Sequence, residues 1–313
     1  MFDVDLFGMM TIAFVQKANV ILLEIAAYQQ YFEQLGFQTL VCSPAELRQI
    51  QPDIEWHFMG IHSRRSNPTA ILIHEYASRS IGPFTGFKDL VKKWLNVRPN
   101  FRVFLNEYTR KGLNFKDNVP WGIRTTIYFP AEQQSVLPDK KYDFVYAGTT
   151  EASRHPEKWL SWFVPGGPLE GHSVLVLGPR RKELEKKYAY SWIHFHDTVP
   201  ATEVNHFLQL SRFGINYQPD RTPLNQQPSA KLLAYAAAGL PIITTDYAWI
   251  RDFQKKYGGA YFFLGRSGIL NWEELNRFTY SSPDLSEWTI DYQLKNSGIP
   301  EFLQQLINNK YSE

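Results

Sequence analysis

The residues best suited to chemistry lie in one stretch in the middle of the second half, between Phe213 and Asp246. An apolar run is followed by a polar loop and then by a helical pattern that opens at Pro228-Ser229. The first N–H groups of a helix lack partners within it and the helix dipole is positive there, so this opening can hold an anion. Lys231 adds a cation in the first turn. The pattern predicts a phosphate site, although an ordinary capped helix with Lys231 in solvent would have the same spacing.

Four polar residues in the first half are candidates for a second site. His74 and Glu75 follow an apolar run at 70–73, and Gln16 and Asn19 follow the run at 11–15. Open α/β sheets bind ligands outside the carboxyl ends of their strands, so these side chains could contact the hydroxyl group of an acceptor. A histidine at a strand end is also commonly structural, and that alternative stays open for His74.

Other motifs favour neither a metal nor a cofactor. The D-x-D pattern of residues 3–5 precedes the first predicted strand and should be frayed. His194, His196 and Asp197 are explained by a partly buried strand end. No Walker loop, G-x-G-x-x-G fingerprint or G-x-S-x-G elbow follows a predicted strand, which argues against an ATPase, a dehydrogenase or a hydrolase. We therefore expect no metal ligands and no cofactor.

The elements that must position these residues alternate between strand and helix. Continuous apolar strands separated by amphipathic helices predict parallel sheets covered on both faces. We interpret the polar segment 131–141 as a linker between domains, and the alternation of strands and helices begins again after it. We predict an α/β fold with two doubly wound, Rossmann-like domains facing a cleft: an acceptor-side domain at 1–135, a donor domain at 136–284, and a helical tail at 285–313 that could pack back on the first domain. The predicted strands are 11–15, 37–42, 56–59, 70–73, 101–105, 143–147, 173–177, 192–195, 213–217, 241–244 and 260–264.

Composition limits the class of protein. The 313 residues are 44% hydrophobic and 20% charged, enough apolar content to bury cores. A net charge of +2 is too small to suggest a nucleic-acid partner. The single Cys42 cannot form an internal disulfide, and the apolar stretch 11–28 is interrupted by polar residues, so we expect a cytoplasmic protein. The basic stretch 88–93, with aromatics at 84 and 87, is compatible with peripheral contact at a membrane.

The 213–246 segment resembles the donor-site signature of retaining GT-B glycosyltransferases related to family 4. That signature is a proline, one or two residues, then K-L-L-E-Y-x-A-x-G-x-P-V-I. The residues in register are Lys231, Leu232, Leu233, Tyr235, Ala237, Gly239, Pro241, Ile242 and Ile243. The resemblance implies that Lys231 approaches the diphosphate. It also implies weaker donor binding here, since Ala234 stands where the family has a glutamate for the ribose.

The resemblance extends upstream over most of 101–246. Residues 142–163 are similar to the first strand and loop of the donor domain, where Gly148 would permit close backbone approach and Arg154 would meet the diphosphate. Residues 119–130 resemble the family's V-P-N-G-V-D segment, with Trp121 and Arg124 replacing its Asn and Asp. Besides Lys231 and Arg154, the donor residues implied are Gly148, Thr149, Val199 beside the base, Tyr217, Asn225, Pro228, Ser229, Ala230 and Ala234.

The implied function is sugar transfer from a nucleoside diphosphate sugar to a glycan, lipid-linked or protein acceptor, with retention and without a metal. Lys231, Arg154 and His74 are the candidate catalytic residues. A catalytically inactive GT-B-like protein that binds a nucleotide sugar or a glycan is the alternative that Ala234 suggests. A nucleotide-sugar epimerase of the same architecture fits the loop less well. The sequence indicates no oligomeric state.

Overall fold

A computed structural model describes residues 10–16, 22, 24–58, 61–80, 84–128, 139–265 and 270–311, without the side chains of 85, 201, 202 and 309–311. The chain divides into two compact units. The first unit contains Met1–Ile127 and Trp288–Glu313, and the second contains Tyr128–Glu287. The core of the predicted linker, 131–138, and the loop residue Asn19 lie outside the described residues.

Strands and helices alternate along both units. The strands are β1 (Thr11–Val15), β2 (Gln38–Cys42), β3 (Ile54–Phe58), β4 (Ile71–Tyr76), β5 (Phe101–Phe104), β6 (Trp121–Ile123), β7 (Tyr142–Ala147), β8 (Val174–Leu177), β9 (Ile193–His196), β10 (Ser211–Asn216), β11 (Ile242–Thr244) and β12 (Phe262–Phe263). The helices are α1 (Glu24–Gln34), α2 (Leu47–Ile50), α3 (Thr85–Leu95), α4 (Glu107–Leu113), α5 (Pro156–Leu160), α6 (Lys182–Lys187), α7 (Ala201–Gln209), α8 (Ala230–Ala237), α9 (Ala248–Tyr257), α10 (Trp272–Arg277), α11 (Ile290–Lys295) and α12 (Ile299–Tyr311).

The sheet of the first unit has the order β2-β1-β3-β4-β5-β6 within the described residues, with every pairing parallel. One face carries an aromatic cluster in which the Phe14, Tyr28 and Trp56 rings lie 5.1–5.7 Å apart. Leu294, Ile299, Leu303 and Ile307, from the tail, are buried in the same core. Helices α11 and α12 therefore complete the apolar cover of this sheet.

The second unit has a sheet of order β12-β11-β10-β7-β8-β9 within its described residues, again parallel throughout. Its central strands carry continuous apolar runs because helices cover both faces. The Tyr146 and Trp159 rings stack at 4.4 Å in a core that also holds Phe144 and Phe163. The predicted fold class, two doubly wound parallel sheets, is confirmed.

Every strand predicted from the sequence is present, with ends shifted by a few residues, but strand β6 and helices α2 and α4 were not predicted. Strand β6 has three residues and a central glycine, so no apolar run marks it. A Cβ atom on Gly122 would lie 1.8 Å from the carbonyl oxygen of Ser297, which explains the glycine by a contact with the tail. Helix α4 contains Gly112 and has few apolar residues, so it lacks a helical period.

Candidate functional site

The carboxyl ends of β7 to β11 lie along one edge of the second sheet, because the strands are parallel. Gly148 follows β7, Val199 follows β9 and Tyr217 follows β10, so the structure brings these predicted residues to the same edge. Such an edge is the usual ligand-binding side of an open α/β sheet. We call this group, with the start of α8, the donor edge.

Ser229 begins α8 as its N-cap residue. Its hydroxyl accepts a hydrogen bond from Leu232 N at 3.3 Å and donates one to Asn216 Oδ1 at 2.7 Å. The cap satisfies one free N–H of the first turn and leaves others available. Pro228 before the cap is half-buried, and Ala230 after it is exposed. The helix thus opens toward the donor edge in a fixed orientation.

Tyr235 locks α8 onto the sheet. Its hydroxyl accepts from Ala147 N at 2.8 Å and donates to the Ile215 carbonyl oxygen at 3.3 Å, joining the helix to β7 and β10. A Cβ atom on Gly214 would lie 2.6 Å from the Tyr235 ring, so the strand must carry a glycine there. This fit places Lys231, one turn earlier on α8, beside β7.

Lys231 is a half-buried cation at the donor edge. Its Nζ atom lies 5.1 Å from the centroid of the Tyr146 ring, within the range of a cation–π contact. Burial, and secondarily the positive charge of Arg154, lower the pKa of Lys231 to about 7. Among the described residues no carboxylate pairs with it, and an anion placed here would raise the pKa again.

Arg154 ends a 3-10 turn, Ala152–Arg154, in the loop after β7. Its Nη1 donates to Gln218 Oε1 at 2.7 Å, and Gln218 Nε2 donates to the Leu224 carbonyl oxygen at 2.8 Å. A neutral amide orients the guanidinium without neutralising its charge. No carboxylate in the described part of the chain pairs with Arg154, so the donor edge holds two basic side chains without a carboxylate partner among the described residues.

A buried polar cluster beneath the edge was not predicted. Asn216 Nδ2 donates to Thr244 Oγ1 at 3.0 Å and to the Tyr247 hydroxyl at 3.1 Å, while its Oδ1 accepts from Ser229. Thr245 Oγ1 donates to the Gln218 carbonyl oxygen at 2.7 Å. The one sequence signal was a polar residue, Asn216, ending an apolar strand. Its partners come from segments 13 to 31 residues away.

The loop after β7 approaches the neighbouring loop closely. Gly148 has φ 141°, and a Cβ on Gly178 would lie 2.3 Å from the Gly148 carbonyl oxygen, so both positions favour glycine. The Thr149 carbonyl oxygen accepts from the Tyr146 hydroxyl at 3.0 Å. The backbone here is exposed at Gly148, as a phosphate-approaching loop requires.

Two polar residues in the loop before α8, Asp220 and Asn225, are paired with each other. Asn225 Nδ2 donates to Asp220 Oδ1 at 2.9 Å, a hydrogen bond within the same loop. Ala234 is half-buried on α8 and offers only a methyl group. A cavity of about 630 Å³ lies at the ends of β10 to β12 and is lined partly by Lys158, Tyr217, Gln218, Arg221, Asp246 and Arg251.

In the first unit His74 and Glu75 lie inside β4, which continues to Tyr76, so the strand end predicted at residue 73 was wrong. Pairing with β5 extends through these positions, and His74 is opposite Arg102. Burial, then the positive charges of His57 and His62, lower the pKa of His74 to about 2, so its ring is neutral. The acceptor role proposed for His74 and Glu75 stays a prediction.

Glu75 is buried in an ion pair with Arg124 and also accepts from Trp56 Nε1 at 2.9 Å and the Tyr28 hydroxyl at 3.2 Å. Gln16, the remaining described acceptor candidate, follows β1 and is half-buried. Its backbone N donates to the Cys42 carbonyl oxygen at 3.0 Å. This unit also has a separate cavity of about 840 Å³, lined partly by Arg102, Arg110, Lys111, Phe115 and Trp121. The acceptor candidates Gln16, His74 and Glu75 do not line it.

Glu55, His57 and His62 could offer metal ligands, since one atom from each lies within 4.8 Å of the others. The His57 and His62 rings, however, stack at 3.8 Å with an interplanar angle of 16°. Parallel stacked rings point their nitrogen lone pairs side by side rather than at one ion. His62 Nδ1 instead lies 3.1 Å from His74 Nε2. The aspartates at residues 3 and 5 fall outside the described residues.

No helix in the described part of the chain is long and apolar enough to cross a membrane.

No protein-family model matches the chain, and no curated protein matches it in sequence. Solved structures do resemble it. Anabaena HepE in complex with UDP-glucose aligns with a TM-score of 0.58 at 10% identity, covering 97% of this chain and 99% of that one. AviGT4, a glycosyltransferase of avilamycin A biosynthesis, gives 0.54 at 13% identity, covering 97% and 96%. The lipopolysaccharide outer core galactosyltransferase WaaB gives 0.51 at 13%, covering 97% and 99%. The chain therefore has the GT-B fold of these glycosyltransferases.

Proposed function

We propose that the protein is a glycosyltransferase that takes its sugar from a nucleoside diphosphate sugar, with the diphosphate bound at the donor edge. The observation that carries this proposal is the pair Lys231 and Arg154, two basic side chains without carboxylate partners among the described residues, beside the N-terminus of α8. A diphosphate supplies the negative charge that this arrangement lacks. The UDP-glucose bound to the structurally similar HepE supports the same ligand class.

Catalysis would come from stabilising the leaving group. In the transfer step the bond between the sugar C1 and the diphosphate oxygen breaks, C1 bonds to an acceptor oxygen, and the proton of that acceptor hydroxyl passes to the departing diphosphate. Negative charge grows on the departing nucleoside diphosphate. Lys231, Arg154 and the first N–H groups of α8 are fixed before that charge appears, and such preorganised donors lower the barrier. We propose retention of configuration and no metal, as the family resemblance implies.

The lowered pKa of Lys231 is expected for an anion-binding site, because a buried ammonium group is unfavourable until an anion compensates its charge. With the pKa at about 7, the amine of the empty site is partly neutral at neutral pH. A bound diphosphate would restore its charge, so binding should take up a proton.

The alternative, a GT-B-like protein that binds its ligand without catalysis, is favoured by one observation. Ala234 offers no hydrogen bond to the ribose, and the nearby Asn225 and Asp220 are paired with each other. Loss of a charge-assisted hydrogen bond costs about 1.5–3 kcal/mol, or roughly one to two decades in affinity. A nucleotide sugar could still bind after such a loss of affinity. Measured sugar transfer is therefore what distinguishes a transferase from a binding protein.

The test is calorimetric binding of UDP, GDP, ADP and their glucose derivatives to the wild type, Lys231→Gln and Lys186→Gln. Lys186 is exposed on α6 and controls for the loss of one charge. We expect one nucleotide class to bind the wild type and the control equally, and Lys231→Gln to bind at least tenfold more weakly. Failure of all six ligands to bind, or equal binding by Lys231→Gln, would contradict the proposal. Release of nucleoside diphosphate with a panel of sugar acceptors then separates transferase from binding protein.

A further inference from the structure

Helix α3 is amphipathic in the reverse sense of an ordinary surface helix. Phe87, Leu90 and Trp94 are spaced i, i+3 and i+7 on one face, and that face points to solvent: 66%, 47% and 83% of each residue is exposed. Phe84, the N-cap residue, is 81% exposed. Surface helices normally turn such a stripe toward the core.

The polar side of the helix is the buried side. Asp89 is 3% exposed, and its Oδ2 accepts from Arg79 Nε at 3.2 Å while its Oδ1 accepts from Ser80 N at 3.0 Å. This anchoring fixes the rotation of α3 and keeps the apolar face outward. The orientation is therefore specified by a buried ion pair and does not arise from a loosely packed helix.

The exposed apolar area is large for a protein surface. A fully exposed aromatic side chain offers about 150–250 Å². Phe84, Phe87 and Trp94, each two-thirds or more exposed, together reach the several hundred Å² that mark interaction sites. Leu90 and Leu95, both close to half-exposed, extend the same patch.

Lysines flank the patch. At about 100° per residue, Lys88 and Lys92 fall on one side of the apolar stripe and Lys93 falls on the other. The one acidic residue of α3, Asp89, is neutralised by Arg79. The outward face therefore combines aromatic side chains with net positive charge.

We propose that α3 docks this protein on the surface of a lipid bilayer that carries anionic headgroups. The docking face comprises Phe84, Phe87, Leu90, Trp94 and Leu95, with Lys88, Lys92 and Lys93 at its margins. Aromatic residues, tryptophan above all, are stable at the depth of the headgroups, and lysines reach the phosphates beside them. The apolar stripe matches the apolar part of the bilayer interface, and the flanking lysines match its negative charge.

The same observations argue against a second copy of the chain as the partner that covers this face of α3. In a two-fold dimer the patch would contact itself, and its lysines would meet lysines across the interface. An anionic bilayer removes that repulsion. An eleven-residue helix buries less apolar area than a stable anchor needs, so binding should be reversible and should require anionic lipid.

The experiment is co-sedimentation of the full chain with phosphatidylcholine vesicles that contain either no or 30% phosphatidylglycerol, without any nucleotide. The docking variant is Phe87→Ser with Trp94→Ser, and the charge variant is Lys88→Gln with Lys92→Gln. Matched controls are Tyr292→Ser, which removes an exposed aromatic on α11, and Lys182→Gln with Lys186→Gln on α6. Circular dichroism and gel filtration of every variant report folding and oligomeric state.

We expect the wild type and both controls to bind the anionic vesicles at low salt, and to bind the neutral vesicles at least tenfold less. The docking variant should lose at least tenfold in partitioning, and the charge variant roughly fivefold per lysine. Absence of wild-type binding to anionic vesicles would overturn the proposal. So would equal losses in the controls, or a concentration-dependent dimer that the docking variant abolishes. Because no donor is present, this outcome does not depend on whether the protein transfers sugars.

Discussion

Two buried ion pairs of the first unit and two basic residues of the second unit differ in how their charge is compensated. In the first unit Glu75 pairs with Arg124, and Arg102 pairs with Asp117. In the second unit Lys231 and Arg154 have no carboxylate partner among the described residues, and a neutral amide orients the arginine. Pairing stabilises a fold, whereas uncompensated charge of one sign prepares a site for a ligand of the other sign. The contrast supports the proposal that the second unit binds an anion.

The largest expected effect is on the first unit. Glu75→Gln leaves the buried Arg124 with only the partly exposed Glu24, 3.7 Å away, as a counter-charge, so we expect a loss of about 3 kcal/mol in the free energy of unfolding, measured by urea denaturation. Nucleotide affinity of the folded protein should be unchanged. The control is Glu107→Gln, whose surface pair with Arg110 should contribute about 0–1 kcal/mol. Equal losses in the two variants would mean that the buried pair is not what stabilises this unit.

An intermediate effect is expected where α8 rests on the second sheet. Gly214→Ala places a methyl group 2.6 Å from the Tyr235 ring, and such overpacking should cost about 1–3 kcal/mol in stability. Because the helix must move, nucleotide affinity should fall as well. Gly86→Ala, on α3, is the control, since nothing lies within 4 Å of its added Cβ. Unaltered affinity in a destabilised Gly214→Ala protein would separate the helix position from the site.

The last expected effect is a pH dependence of stability that Lys231 itself causes. The pKa of this amine is lowered to about 7 in the folded chain, against about 10.4 when unfolded, so the unfolded state binds more protons between those values. The stability of the wild type relative to Lys231→Met should therefore rise as pH increases from 7 toward 10. Thermal melts of both proteins across that range measure it. A flat or falling difference would argue against a depressed pKa.

Both sheets were predictable from the sequence because their apolar strands are continuous and their helices are periodic. The opening of α8 was also predictable, since Ser229 and Lys231 act within one helical turn. What escaped prediction depends on distant partners. The polar character of His74 and Glu75 indicated a strand end, and nothing local reveals that Arg124, 49 residues later, compensates Glu75 inside the sheet.

The same limit applies to the donor edge. Gln218 and Tyr247 orient Arg154 and Asn216 through contacts 64 and 31 residues apart in sequence. A sequence pattern shows which residues carry charge, but only the pairing of strands shows which of those charges remain uncompensated. The contrast between the units was therefore invisible before the fold was known.

The most direct test of the central claim counts the protons taken up when nucleoside diphosphate binds. Calorimetry at pH 8 in buffers of different ionisation enthalpy gives this number for the wild type and for Lys231→Arg. Since the ligand's own second phosphate pKa is about 6, it is already ionised at that pH. The account predicts uptake approaching one proton in the wild type, because Lys231 is mostly neutral until the diphosphate arrives, and none in Lys231→Arg. Tight binding without proton uptake, or with the same uptake in both proteins, would contradict it.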